Sequence, residues 1–199
     1  ARVSCNVTHD SFGVPPGGGS AAAWHRFVAR YVEDHLAAHP AFAVAQGRHE
    51  YDGMLPDWSA AGLKREIARL RRARAQAQAF TDEDLGEHGS FQREYLLAAI
   101  DRHLFWLDQA GWPSRSPDFY FDWMSDSLAP APYVTLDYAP LAERLRAYTR
   151  YASNIPRAVA QIRANLRMPM ARTVLQYGID SFGGLAEYYR NDVPGVFAP

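Results

Sequence analysis

Cysteine is almost missing from this chain: Cys5 is the only one in 199 residues. A lone thiol excludes an internal disulfide framework and any zinc site built on paired cysteines. Lysine is as scarce, with Lys64 the single example, and every other basic side chain is arginine. A formal net charge of −1 and a pI near 6.7 give no electrostatic reason to expect nucleic acid as a partner. No apolar run approaches the ~18–20 residues that span a bilayer, so no transmembrane segment is expected. No charged-then-apolar leader is visible, which favours the cytoplasm. A leader lying before Ala1 would instead make the protein secreted or a lipoprotein. No stretch alternates apolar and polar residues with period two, and no internal repeat is detectable. The chain is therefore expected to be all-α.

Several catalytic signatures are lacking too. No serine sits in a Gly-x-Ser-x-Gly elbow. Gly17-Gly18-Gly19 precedes a helix, but without the lysine and the preceding strand that a phosphate loop needs. A zinc-peptidase helix needs two histidines one turn apart with a glutamate beside the first. The only His-Glu pair is His49-Glu50, and the second histidine's position is Gly53. No catalytic residue and no metal ligand set is assigned to this chain on that basis.

What is present reads as helices punctuated by proline and glycine. Residues 1–20, ending in Val14-Pro15-Pro16-Gly17-Gly18-Gly19-Ser20, have the composition of a disordered leader and linker. From Ala21 to His39 the residues Trp24, Phe27, Val28, Tyr31, Val32, His35 and Leu36 mark one face of a helix. His35 and His39 share i, i+4 spacing, and helix-end packing is preferred there over a metal role. Ala60–Ala79 presents Leu63, Ile67, Leu70 and Ala77, with Lys64, Arg65, Arg71, Arg72 and Arg74 read as a solvated face. Thr81–Asp84 has the form of a helix-start box, and a wide apolar helix follows from Phe91 to about Gln109. That width implies burial on more than one side.

Trp112 through Pro117 reads as loop and Asp118–Leu128 as an aromatic helix. Its acids Asp118, Asp122 and Asp126 are expected to form an exposed edge. Pro140 opens another helix, Pro156 the next, and Pro169 marks an end; Val174–Leu185 carries the last helix before a turn at Asn191–Gly195. The sum is an all-α array of about seven helices joined by short Pro- or Gly-marked loops.

The stretch Pro40–Ser59 organises this array. Gly47 fits the left-handed position past a helix end, Asp52-Gly53 and Pro56-Asp57 are turn dipeptides, and Ser59 suits a helix cap. Between them lie His49, Glu50, Tyr51 and Asp52, held at both ends and able to line a substrate cleft. The competing reading makes Asp52 and Asp57 turn-closing residues and Tyr51 and Trp58 packing residues.

The pattern P-x-F-A-x-x-x-G-x-H-x-Y-D-x-x-L-P-D-x-S over 40–59, followed by an Arg-rich helix, resembles the bacterial domain of unknown function 885 family. D-Y-A-P-L-A-E-R-L at 137–145, Ile155-Pro156 and Ala164-Asn165-Leu166 extend the resemblance, which covers roughly 21–199. Members look like zinc metallopeptidases, because their later half carries His-Glu-x-x-x-Pro-Gly-His-His. That motif does not occur in these 199 residues. The resemblance thus implies a non-catalytic amino-terminal helical region that helps form a substrate cleft. A carboxy-terminal catalytic half would be its partner, peptide its substrate class, and zinc the cofactor of the whole protein but not of this chain. The alternative is a self-contained helical binding module without enzymatic activity.

Overall fold

Capping and breaking residues divide the helical periodicity into discrete segments in a computed structural model that describes residues 19–121, 128 and 131–198. Residues 1–18 of the expected leader, and Asp122 and Asp126 of the acidic repeat, lie outside the described residues. The helices are α1 (Gly19–Ala38), α2 (Pro40–Ala45), α3 (Ala60–Gln78), α4 (Asp82–Leu104), α5 (Trp112–Arg115), α6 (Ala131–Thr135), α7 (Leu141–Asn165), α8 (Arg172–Asn191) and α9 (Val193–Val196). A π-helical turn, Phe105–Gln109, prolongs α4. The described residues contain no strand, and the fold is all-α.

The ends of these helices follow from local chemistry. α2 starts on Pro40, whose missing N–H costs nothing in a first turn. It stops at Gly47, with φ of 86°, where the Gly47 and Arg48 amides donate to the Val44 and Ala43 carbonyls. That pair of bonds is a Schellman close, which satisfies carbonyls the helix leaves orphaned. Ser59 caps α3 by accepting from the Gly62 amide at 3.0 Å. Thr81 and Asp84 form a reciprocal capping box at the start of α4. Gly86 then breaks α4 (φ 66°) before its main run, and left-handed Gly111 follows its end.

Three apolar clusters hold the helices together. Trp24 and Phe27 of α1 meet Ala77 of α3, with Phe80 set edge-on to Trp24 at 5.3 Å. Leu70 and Ala73 of α3 pack on Ile100 and Leu104 of α4. The largest cluster gathers Val44, Leu55, Trp58, Phe119, Tyr120, Tyr133 and the α7 residues Ala147, Tyr151, Ala158 and Ile162. Each large side chain buried this way contributes about 1.5–3 kcal/mol.

The fold departs from the sequence expectations in four places. α7 runs unbroken through Pro156 instead of splitting there. A proline inside a helix costs about 3 kcal/mol, but Tyr151 before it and Ala158 and Ile162 after it all seat in one cluster, and that burial prevails. Phe91 and Tyr95 are 66% and 72% exposed, so the wide stripe of α4 is fully buried only at Ile100 and Leu104, with Leu96 and Leu97 partly covered by the α1 and α3 clusters. Trp112–Arg115, read as loop, makes a helical turn nucleated by Pro113. Asp118 stands in a short 3-10 turn, Pro117–Tyr120, and not in the first turn of an α-helix.

Candidate functional site

The loop after Gly47 is fixed by long-range hydrogen bonds, chiefly to α7. The Gly53 amide donates to the Tyr133 hydroxyl at 2.8 Å, and Asn154 Nδ2 donates to the Gly53 carbonyl at 2.9 Å. The Trp58 amide donates to Gln161 Oε1 at 3.1 Å, while Asn165 Nδ2 donates to the Trp58 carbonyl at 2.6 Å. Gln161 Nε2 also donates to Asp57 Oδ1 at 2.9 Å. Gly53 itself has φ of 82°, and a Cβ there would lie 2.5 Å from Cβ of Arg150. Only glycine serves both demands.

His49–Tyr51 form a short 3-10 turn whose side chains diverge. His49 stacks flat on Tyr138, with centroids 3.7 Å apart and planes 8° off parallel. Its Nδ1 faces Asp52 Oδ1 at 3.2 Å, and the Tyr138 hydroxyl donates to Asp52 Oδ2 at 3.1 Å. Burial and the Asp52 carboxylate push the Tyr138 phenol well above its ordinary range, so it stays a donor. Glu50 turns away to Arg48, which also grips Glu33 with both terminal nitrogens at 2.9 Å. Tyr51 packs against the largest cluster. Of the four expected site residues, His49 and Asp52 therefore come together, with Tyr138, Arg146 and Arg150, around a depression of about 410 Å³.

The far side of the same loop lines a larger cleft of about 810 Å³. Leu55 and Trp58 meet Trp106, Trp112 and Phe119 there, and Glu66, Arg69 and His103 form its polar side. Arg69 clasps Glu66 with Nε and Nη2, both at 2.7 Å. His39 Nε2 sits 3.3 Å from the same carboxylate, and His35 Nδ1 lies 3.5 Å from Arg69 Nη2. The rings of His35 and His39 are 4.3 Å apart, and His103 is 5.8 Å from His35. Burial pushes the Glu66 carboxyl up, but hydrogen bonds from Arg69 and His39 outweigh it and hold it well below the carboxylate range. Burial, then the neighbouring cations, lower His35 to about 3 and His103 to about 4, so both are neutral at pH 7.

The His35/His39 pair thus belongs to a larger polar cluster. Its donor set does not suit zinc, because a guanidinium already occupies Glu66 and stands beside His35. Among the described residues no group of three or more His, Cys, Asp or Glu is arranged to hold a metal ion. Sequence reasoning missed Glu66, Arg69 and His103 as a unit. The available signal was Glu66 itself, set one turn from both Leu63 and Leu70 within the apolar stripe of α3. Arg65 and Arg72, read as solvated, also line this cleft.

Such an arrangement, helices around a pinned loop that divides two concavities, defines an all-helical domain. The chain belongs to the family described as "Bacterial protein of unknown function (DUF885)", whose profile matches residues 40–198. A solved structure described as "a putative lipoprotein of unknown function from Shewanella oneidensis" is similar in fold, with a TM-score of 0.71 at 19% identity. The similarity covers 81% of this chain and 29% of that one. No curated protein matches. No helix among the described residues is long and apolar enough to cross a membrane.

Proposed function

We propose that this chain, from about residue 21, is the non-catalytic amino-terminal helical region of a larger zinc-dependent hydrolase that cleaves peptides. Its loop 47–59 forms part of the wall of the substrate cleft. The observation that carries the reading is the loop itself, which is pinned to α7 and lines a concavity on each side. A rigid loop between two concavities suits a surface that meets substrate. The similarly folded structure is more than three times as long as the part of it that this chain covers, which suits a region within a larger assembly. Zinc and its ligands, in this reading, come from beyond residue 199, as the family resemblance implies.

The test uses both lengths of protein. Chain 1–199 with added Zn²⁺ should hydrolyse no peptide library above background, and the longer protein should do so in a chelator-sensitive way. In the longer protein His49→Ala should lower kcat/KM by ~10-fold or more, with stability changed by less than ~1 kcal/mol. Strong destabilisation with unchanged turnover per folded molecule would make the loop a brace and not a site. The second reading, a self-contained binding module, is favoured by the three apolar clusters formed within the chain. It predicts ligand binding by 1–199 and no turnover at any length.

A further inference from the structure

The larger cleft carries an imbalance of charge that its walls do not resolve. Arg65, Arg69 and Arg72 project from α3 at i, i+4 and i+7, hence from one face, and Arg157 reaches in from α7. Against these four cations stand three carboxylates: Asp34, Asp57 and Glu66. Asp57 is bonded to Arg65, and Glu66 is held by two nitrogens of Arg69. Arg72 and Arg157 form no ion pair among the described residues. Arg69 also keeps Nη1 buried without a hydrogen-bond partner. The guanidiniums outnumber the carboxylates by one beside an aromatic wall of Trp58, Trp106, Trp112 and Phe119, and His39, which also lines the cleft, is engaged with Glu66.

We infer that this cleft binds a monoanionic carboxylate carried on an apolar body: the carboxy-terminal residue of a peptide, or a free acylated amino acid, with a Leu- or Trp-sized side chain. The volume lies in the range of sites that bury small organic ligands. Arginine presents a planar fork that matches a carboxylate with two parallel bonds. A phosphate fits less well. The helix N-terminus at the cleft, that of α3, is already capped by Ser59, and the carboxylate of Asp57 accepts from the Ser59 amide. This inference rests on the reading that the cleft meets substrate, and it narrows that substrate to chains ending in a free apolar residue.

The 199-residue chain should be titrated with N-acetyl-leucine, its amide, Ala-Ala-Ala-Leu and the corresponding peptide amide, followed by calorimetry and tryptophan fluorescence. Both acids should bind saturably, and both amides ~10-fold or more weakly. The double variant Arg72→Met/Arg157→Met should reduce the acids to the level of the amides. Arg71→Met, which loses a pair with Asp108 outside this cleft, should bind as the parent does. A thermal melt of each variant establishes that it is folded. Tighter binding of the tetrapeptide identifies a peptide end as the ligand, and equal binding identifies the single terminal residue; both support the inference. Equal binding of acid and amide, full binding by the folded double variant, or no saturation by ~10 mM would overturn it. So would displacement of N-acetyl-leucine by equimolar inorganic phosphate. Turnover is not read here, so failure of the hydrolase reading and failure of this inference are separate results.

Discussion

Lowering the pH from 7.5 to 5.0 should destabilise the fold through His35 and His103. Both imidazoles are held neutral in the folded chain, at about 3 and about 4, against 6.5 for an unperturbed histidine. His39, Glu66 and Arg69 face both of them, with Arg102 also near His103. The folded values lie below the unfolded one, so the unfolded chain takes up protons first as the pH falls. The stability these residues contribute is complete above about 6.5 and is lost as the pH drops toward their folded values. One such histidine loses about 1.4 kcal/mol per pH unit, or about 2 kcal/mol at pH 5.0. Each ring is mostly but not wholly buried, so half that figure is the safer guide, about 2 kcal/mol for the pair. For a domain of this size the loss corresponds to a fall in Tm of about 4–8 °C. Glu66 does not blur this window, because a depressed carboxyl loses its contribution only below its unfolded value of 4.5. Thermal melts across the range, on the parent and on His103→Leu, measure the effect. The variant should show about half the pH slope. A parent Tm that stays flat, or a variant with the full slope, would refute the assignment of neutral buried histidines.

Gly62→Ala should fail at the start of α3, because its Cβ would fall 2.0 Å from the Asp57 carbonyl oxygen; we expect a loss of more than ~3 kcal/mol by denaturant titration. Gly47→Ala meets no atom within 4 Å and should cost only the left-handed strain, ~1–2 kcal/mol. Tyr133→Phe should cost ~1–3 kcal/mol by leaving the buried Gly53 amide without its acceptor. Amide exchange should show that proton, and the Trp58 amide less so, losing protection.

Much of the architecture was legible because local rules governed it. The close at Gly47, the cap at Ser59 and the box at Thr81–Asp84 each depend on residues within a few positions, and each forms as expected. The continuation of α7 through Pro156 was not legible, since a proline announces its local cost and not the cluster that overrides it. In the site, the sequence could say that the loop would be rigid, but not which concavity each side chain would face. His49 finds Tyr138 and Asp52, whereas Trp58 joins Trp112 and Phe119 on the other side. Glu66 and Arg69 escaped because charged residues on an Arg-rich helix look solvated until a neighbouring helix covers them. Their partners His35, His39 and His103 come from α1, the short link after it, and α4.

The hydrogen bonds from loop to α7 set an order of events as the chain is made. Residue 59 leaves the ribosome roughly a hundred residues before Asn165, which donates to the Trp58 carbonyl. Until α7 is made the Trp58 amide has only water to bond with, and the Gly53 amide waits in the same way for Tyr133 of α6. α1, α3 and α4 can associate early through Leu70 and Ile100, whereas the loop must wait for pairings that span 80–107 positions. Contacts of such separation close late and slowly. Both concavities therefore take their final shape in the last stage of folding, and a chain stalled before α7 would hold two helical clusters with nothing yet shaped to receive a ligand.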